Sequence, residues 1–147
     1  MKRMKKRNDV ITVINLLPRF KFPHTIARKL LLRVLSHFQF KVESVNIVFM
    51  GDRDITHINV QYLNHDYPTD VISFRLNEGK KVEGEIYIGV EEVKRNSIFF
   101  KTKFYDEIKR VIIHGTLHLI GFEDNTIKKR KQMKELEDKF LKISNFD

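Results

Sequence analysis

The sequence predicts a mixed α/β (α+β) domain built around one buried helix. Three observations point there: four short runs with strand patterning, five longer runs with helical periodicity, and the interleaved order of the two. At 147 residues the chain has the size of one domain. Residues 1–147 are therefore read as a single unit with a basic, flexible arm at 1–8. A chain of this length buries roughly 68–70% of its unfolded surface and needs no staples to hold a core.

The first strand is expected at Val10–Leu16. A helix follows at Thr25–Phe38, with Ile26, Leu30, Val34 and Phe38 on one stripe. The second strand is Ser44–Met50, and the second helix Arg53–Leu63 repeats Ile55, Ile58 and Tyr62. Strands at Thr69–Arg75 and Glu83–Ile88 flank turn chemistry between Leu76 and Val82. The third helix, Val90–Lys101, repeats Val90, Val93, Ser97 and Phe100. The fourth is Asp106–Ile120 and the fifth Ile127–Ile143. In the fourth, Ile108, Val111, Ile112, Ile113, Leu117, Leu119 and Ile120 cover every face. A helix apolar all round is a buried one, so its polar side chains need a reason to be there.

Composition narrows the function. The chain has no cysteine, which excludes disulfides, Cys-ligated zinc, iron–sulfur clusters and a catalytic thiol. Its 28 Lys+Arg against 19 Asp+Glu give a formal charge of +9, which favours an anionic partner. The start MKRMKKRN is basic, but the apolar run after it is short and meets Pro18 and Arg19 without a small-residue cleavage site. It reads as an arm and a strand. No apolar run approaches the roughly 20 residues that span a bilayer. The expected location is the cytoplasm, away from membranes.

The polar residues of the fourth helix include His114 and His118. Four apart, they share a face and can converge on one ion. Gly121 suits the left-handed position that ends a helix, and a ligand just beyond it can turn back. Written out, His114-x3-His118-x2-Gly121-x2-Asp124 has the spacing of the metzincin signature with two changes. Gly115 stands where metalloproteases carry their glutamate base, and Asp124 stands at the third ligand position. Aspartate is a valid ligand for zinc and for other divalent ions. Two histidines alone fit a hydrogen-bonded core pair equally well; the glycine turn and the carboxylate favour metal. Glu123 competes for the third ligand position, and Asp124 also fits as the cap of the next helix.

At these residues the sequence resembles the YbeY family of rRNA maturation factors. His114-Gly115-Thr116-Leu117-His118-Leu119-Ile120-Gly121-Phe122 is similar to its HGxLHLxGY signature. Asn59-x-x-Tyr62, Asp66 and Pro68–Phe74 (PTDVISF) are similar to a second block, and Gly84–Ile88 (GEIYI) to a third. The resemblance implies a metal-dependent endoribonuclease specific for single strands, with one Zn2+ as its usual metal. It implies maturation of ribosomal RNA at the small-subunit 3′ end, ribosome quality control, and contact with the small subunit or its assembly factors. The implied fold is a small four-stranded mixed sheet packed on a central helix with a zincin-like metal site. Two residues depart from the family pattern. Asp124 replaces its third histidine, and Leu63 replaces an arginine that would place positive charge near the metal. His65, Arg53 and Arg75 are the nearby substitutes.

The expected mechanism places the ion on His114, His118 and Asp124, where it would polarise a phosphoryl oxygen and acidify a coordinated water. Glu123 is the candidate for proton transfer, since Gly115 removes the usual base. Thr69, Asp70 and Ser73 would line the cleft, orienting histidines or touching RNA, with His65 nearby. Lys128, Lys129 and Arg130, and the arm residues Lys2, Arg3, Lys5, Lys6 and Arg7, are the candidate phosphate contacts. Two other classes remain in play. One is a ribosome-associated RNA-binding factor with a structural metal, and the other is a zincin-like protease.

Overall fold

The computed structural model describes residues 10–144. Four strands and five helices follow the expected order: β1 (Ile11–Asn15), α1 (His24–His37), β2 (Lys41–Met50), α2 (Asp52–Leu63), β3 (Val71–Arg75), β4 (Lys81–Gly89), α3 (Val90–Phe99), α4 (Phe104–Leu119) and α5 (Ile127–Ser144). The candidate phosphate contacts of the arm lie outside the described residues.

The strands form one sheet in the order β1-β2-β4-β3. β1, β2 and β4 run parallel, and β3 pairs antiparallel with β4 at the edge. Period-two alternation divides β2 between two cores. Val45, Ile47 and Phe49 join the large cluster with α1, α3, α4 and α5, while Val48 and Met50 face Ile55 of α2 on the other side. Buried on both faces, β2 reads as a continuous apolar run at its C-terminal half.

α4 is the central helix. Ile108, Ile112, Ile113 and Leu117 are fully buried among α1, α3, α5 and the sheet. Burying each such side chain contributes about 1.5–3 kcal/mol. Position 115 explains how close the helix comes to the sheet. A Cβ on Gly115 would lie 2.9 Å from Ile86 Cγ2, 3.0 Å from Val71 Cγ2 and 3.1 Å from Ser73 Oγ. Ser73 Oγ, in turn, donates to the Gly115 carbonyl at 2.8 Å.

Two expected stripes differ in detail. In α1 the buried face is Ala27, Leu30, Leu31, Val34 and Leu35, rotated from the expected one because α4 and the sheet both cover it. In α2, Asn59 is buried and Tyr62 is exposed. Asn59 Nδ2 donates to the Tyr67 carbonyl at 2.9 Å, so this polar residue ties down the loop between α2 and β3. A larger difference concerns Phe100. α3 ends at Phe99, Lys101 adopts a left-handed φ of 57°, and Phe100 is left 64% exposed instead of completing the apolar stripe.

Candidate metal centre

His114 and His118 occupy the last turns of α4, with their Nε2 atoms 3.0 Å apart. The helix stops in a Schellman motif. Gly121 N–H donates to the His118 carbonyl, Phe122 N–H donates to the Leu117 carbonyl, and Gly121 has φ +102°. Phe122 then packs against Phe38, with ring centroids 5.0 Å apart. With the turn pinned, the next residues swing back over the helix end. Asp124 Oδ2 lies 3.4 Å from His114 Nε2 and 3.6 Å from His118 Nε2.

Among the described residues, His114, His118 and Asp124 form the one group of at least three such side chains able to share an ion, with all donor atoms within 4.8 Å of one another. Three corners of a zinc tetrahedron with bonds of about 2.0–2.1 Å stand about 3.3 Å apart. The observed separations bracket that value, so the donor set fits a divalent ion. The carboxylates of this loop face different partners. Glu123 points to Lys129 Nζ at 3.2 Å and is not in the donor group. Thr126 caps α5, its Oγ1 accepting from Lys129 N–H at 3.1 Å, which leaves the Asp124 side chain for the histidines.

A carboxylate that the sequence reading missed completes the arrangement. Glu137, 7% exposed on α5, accepts from His114 Nδ1 at 2.6 Å. With Nδ1–H engaged there, the neutral ring presents its Nε2 lone pair to the donor group. Arg110 holds Glu137 in place through Nη1 at 2.8 Å and reaches Asp138 through Nη2 at 2.8 Å. Burial alone would lower the His114 pKa. The hydrogen bond and charge of Glu137, aided by Asp124 and Asp70, outweigh it and raise the value above normal. The missed signal lies in the spacing of α5, where Glu137 falls on the buried stripe of Met133 and Phe140.

Two clefts of about 430 Å³ each border the donors, one lined by His118 and the other by His114 and Asp124. The first is walled by β3, the α2–β3 loop and His118, and the second by α5, the α3–α4 turn, His114 and Asp124. Thr69, Ser73, His65 and Glu123 line the first cleft. Asp70 lies beside His114 outside that lining, and burial raises its pKa while the His114 charge pulls the other way. Thr69 and Asp70 precede β3, which begins at Val71. Arg130 lines the second cleft, and Lys128 and Lys129 line neither. Of the substitutes for the missing arginine, Arg75 is committed elsewhere. It donates to Asn77, Gly79 and Leu119, clamping the β3–β4 hairpin to the end of α4. Arg53 does not line the first cleft, whereas His65 does, stacked on Tyr67 at 5.2 Å and 13°.

The model of the family described as endoribonuclease YbeY matches residues 18–145. This chain belongs to the YbeY family. It is 43% identical to the endoribonuclease YbeY of Chloroherpeton thalassium over 121 residues, 82% of this chain and 86% of that one. It is 44% identical to the Flavobacterium psychrophilum endoribonuclease YbeY over 99 residues, 67% of this chain and 71% of that one. The solution structure of TM1509 from Thermotoga maritima has the same fold, with a TM-score of 0.64 and 27% identity over 91% of this chain and 88% of that one. The segment His114–Phe122, which resembles the YbeY signature, therefore carries both histidines of the donor group and lines both clefts. Among the described residues, no helix is long and apolar enough to cross a membrane.

Proposed function

We propose that this YbeY-family chain is a metal-dependent endoribonuclease that cuts single-stranded RNA. We place it in the cytoplasm, in the maturation of the small-subunit rRNA 3′ end, in contact with the small subunit or its assembly factors. The single observation that carries the reading is the convergence of His114, His118 and Asp124 between two clefts that they line. Their side chains are 22%, 30% and 41% exposed, so the donors face solvent and leave room for a substrate. Structural metal sites are closed and four-coordinate, which disfavours a purely structural ion. A protease is disfavoured by Gly115, whose position has no room for the glutamate such an enzyme needs.

One divalent ion, zinc in this reading, would be held by His114, His118 and Asp124 and, when bound, would supply Lewis acidity to a phosphoryl oxygen and a more acidic water. The remaining work belongs to the chain. Glu137 fixes the tautomer and tilt of His114, and Arg110 fixes Glu137. The first cleft receives the strand, with Thr69 and Ser73 in its wall and the His65–Tyr67 pair open to a base. Glu123 is the carboxylate of that cleft outside the donor set, and proton transfer falls to it. Its exposed pairing with Lys129 contributes little and is easily broken.

Metal-loaded protein incubated with single-stranded RNA, duplex RNA and casein tests the proposal, beside His114→Ala/His118→Ala. Cleavage of single strands by the wild type alone supports it. RNA cleavage that survives the double substitution, or casein cleavage by the wild type, refutes it.

A further inference from the structure

An endonuclease must hold its strand on both sides of the cut, and the two clefts differ in chemistry. The first carries His65, Tyr67 and Glu123 and no lysine or arginine. The second carries Phe100, Thr102, Arg130 and Lys134 beside His114 and Asp124. Phe100 is 64% exposed at the end of α3, its ring perpendicular to that of Phe99 at 85° with the centroids 4.9 Å apart. Arg130 and Lys134 stand one turn apart on α5, facing the same way. Arg130 also reaches the Asp124 carbonyl at 3.3 Å, which brings its charge next to the donors. Acidic groups line this cleft too. Glu137 is paired with Arg110, and Asp124 belongs to the donors, which leaves Glu107 against the two cations.

From this we infer that the second cleft is a nucleotide subsite, in which a base stacks on Phe100 while Arg130 and Lys134 hold the adjoining phosphate. The inference rests on the nuclease reading and adds the far side of the cut to it. The volume suits one nucleotide unit, within the range of about 300–1,000 Å³ for small-ligand pockets. Stacking on an exposed ring accepts any base but requires one that has left its helix, and lysine and arginine take phosphate without reading sequence. A duplex cannot offer such a base without unpairing it. The subsite thus supplies a physical cause for single-strand preference.

The test uses the full-length, metal-loaded protein and fluorescent single-stranded oligoribonucleotides of mixed sequence. Wild type is compared with Phe100→Ala, Phe100→Tyr, Lys134→Ala and, as an exposed apolar side chain of α3 that lines neither cleft, Ile98→Ala. All four substitutions are on the surface, so the fold tolerates them. Phe100→Ala should raise KM about tenfold with kcat within about twofold, Phe100→Tyr should restore it, and Ile98→Ala should match wild type. Lys134→Ala should lower the slope of log affinity against log salt by about 0.7. Unchanged KM and salt slope in the Phe100→Ala and Lys134→Ala proteins, with RNA still cut, overturn the subsite and leave the nuclease reading intact. Equal losses in Ile98→Ala and Phe100→Ala also overturn it, as does a change in self-association by sedimentation without a change in RNA binding. A wild type that neither binds nor cuts RNA removes the nuclease reading itself.

Discussion

Glu137 Oε2 accepts from His114 Nδ1 at 2.6 Å, across 23 positions of sequence and two helices. Such a carboxylate behind a ligating histidine sets the tautomer and raises ligand basicity. Here it is itself held by Arg110, so three side chains from α4 and α5 act as one unit.

Replacing Glu137 with glutamine should therefore loosen the metal before it loosens the fold. Metal affinity, measured by titration against a chelator, is expected to fall about 10–100-fold. Arg110 keeps Asp138, so the stability cost in urea should stay near 1–3 kcal/mol. An unchanged affinity would remove Glu137 from the site.

Asp124→Ala should lose metal while keeping the fold, because the side chain is 41% exposed and anchors no core. Asp124→His, which puts an imidazole donor at the same position, should keep both metal and cleavage. Elemental analysis of the purified proteins decides. Full metal content in the alanine protein would show that Asp124 is not an essential ligand.

The pH dependence follows from the raised pKa of His114. In the metal-free protein, the imidazolium–Glu137 pair stabilises fully below the unfolded value of about 6.5 and is lost as pH rises through the folded value. Metal needs the Nε2 lone pair, so the increase in Tm on adding zinc should grow through the same window. Melting curves with and without zinc between about pH 5.5 and 8.5 measure this. Glu137→Gln should move the window to lower pH. A zinc-induced shift independent of pH would contradict the pairing.

Gly115→Ala should destabilise by roughly 1–3 kcal/mol in denaturant unfolding, since its Cβ meets Ile86, Val71 and Ser73 at 2.9–3.1 Å. Gly121→Ala should cost about 1 kcal/mol for a different reason, its φ of +102°. No neighbour lies within 4 Å of the added Cβ there, so the loss is conformational and the cleft keeps its shape.

Local chemistry alone determined a large part of this molecule. Helical spacing put His114 and His118 on one face, Gly121 marked the left-handed stop, and the all-round apolar pattern of α4 placed that face in the middle of the domain. These features depend on residues within two turns of one another, where backbone geometry dictates who can meet. Tertiary packing decided the rest. It brought Asp124, and not Glu123, within 3.6 Å of both histidines, with Phe122 docked on Phe38 and α5 capped by Thr126. It brought Glu137 to His114 through the crossing of two helices. It left Phe100 in water, because the chain turns at Lys101 before the apolar stripe of α3 is complete. Each of these depends on where two distant segments cross, and a one-dimensional period carries no record of that crossing.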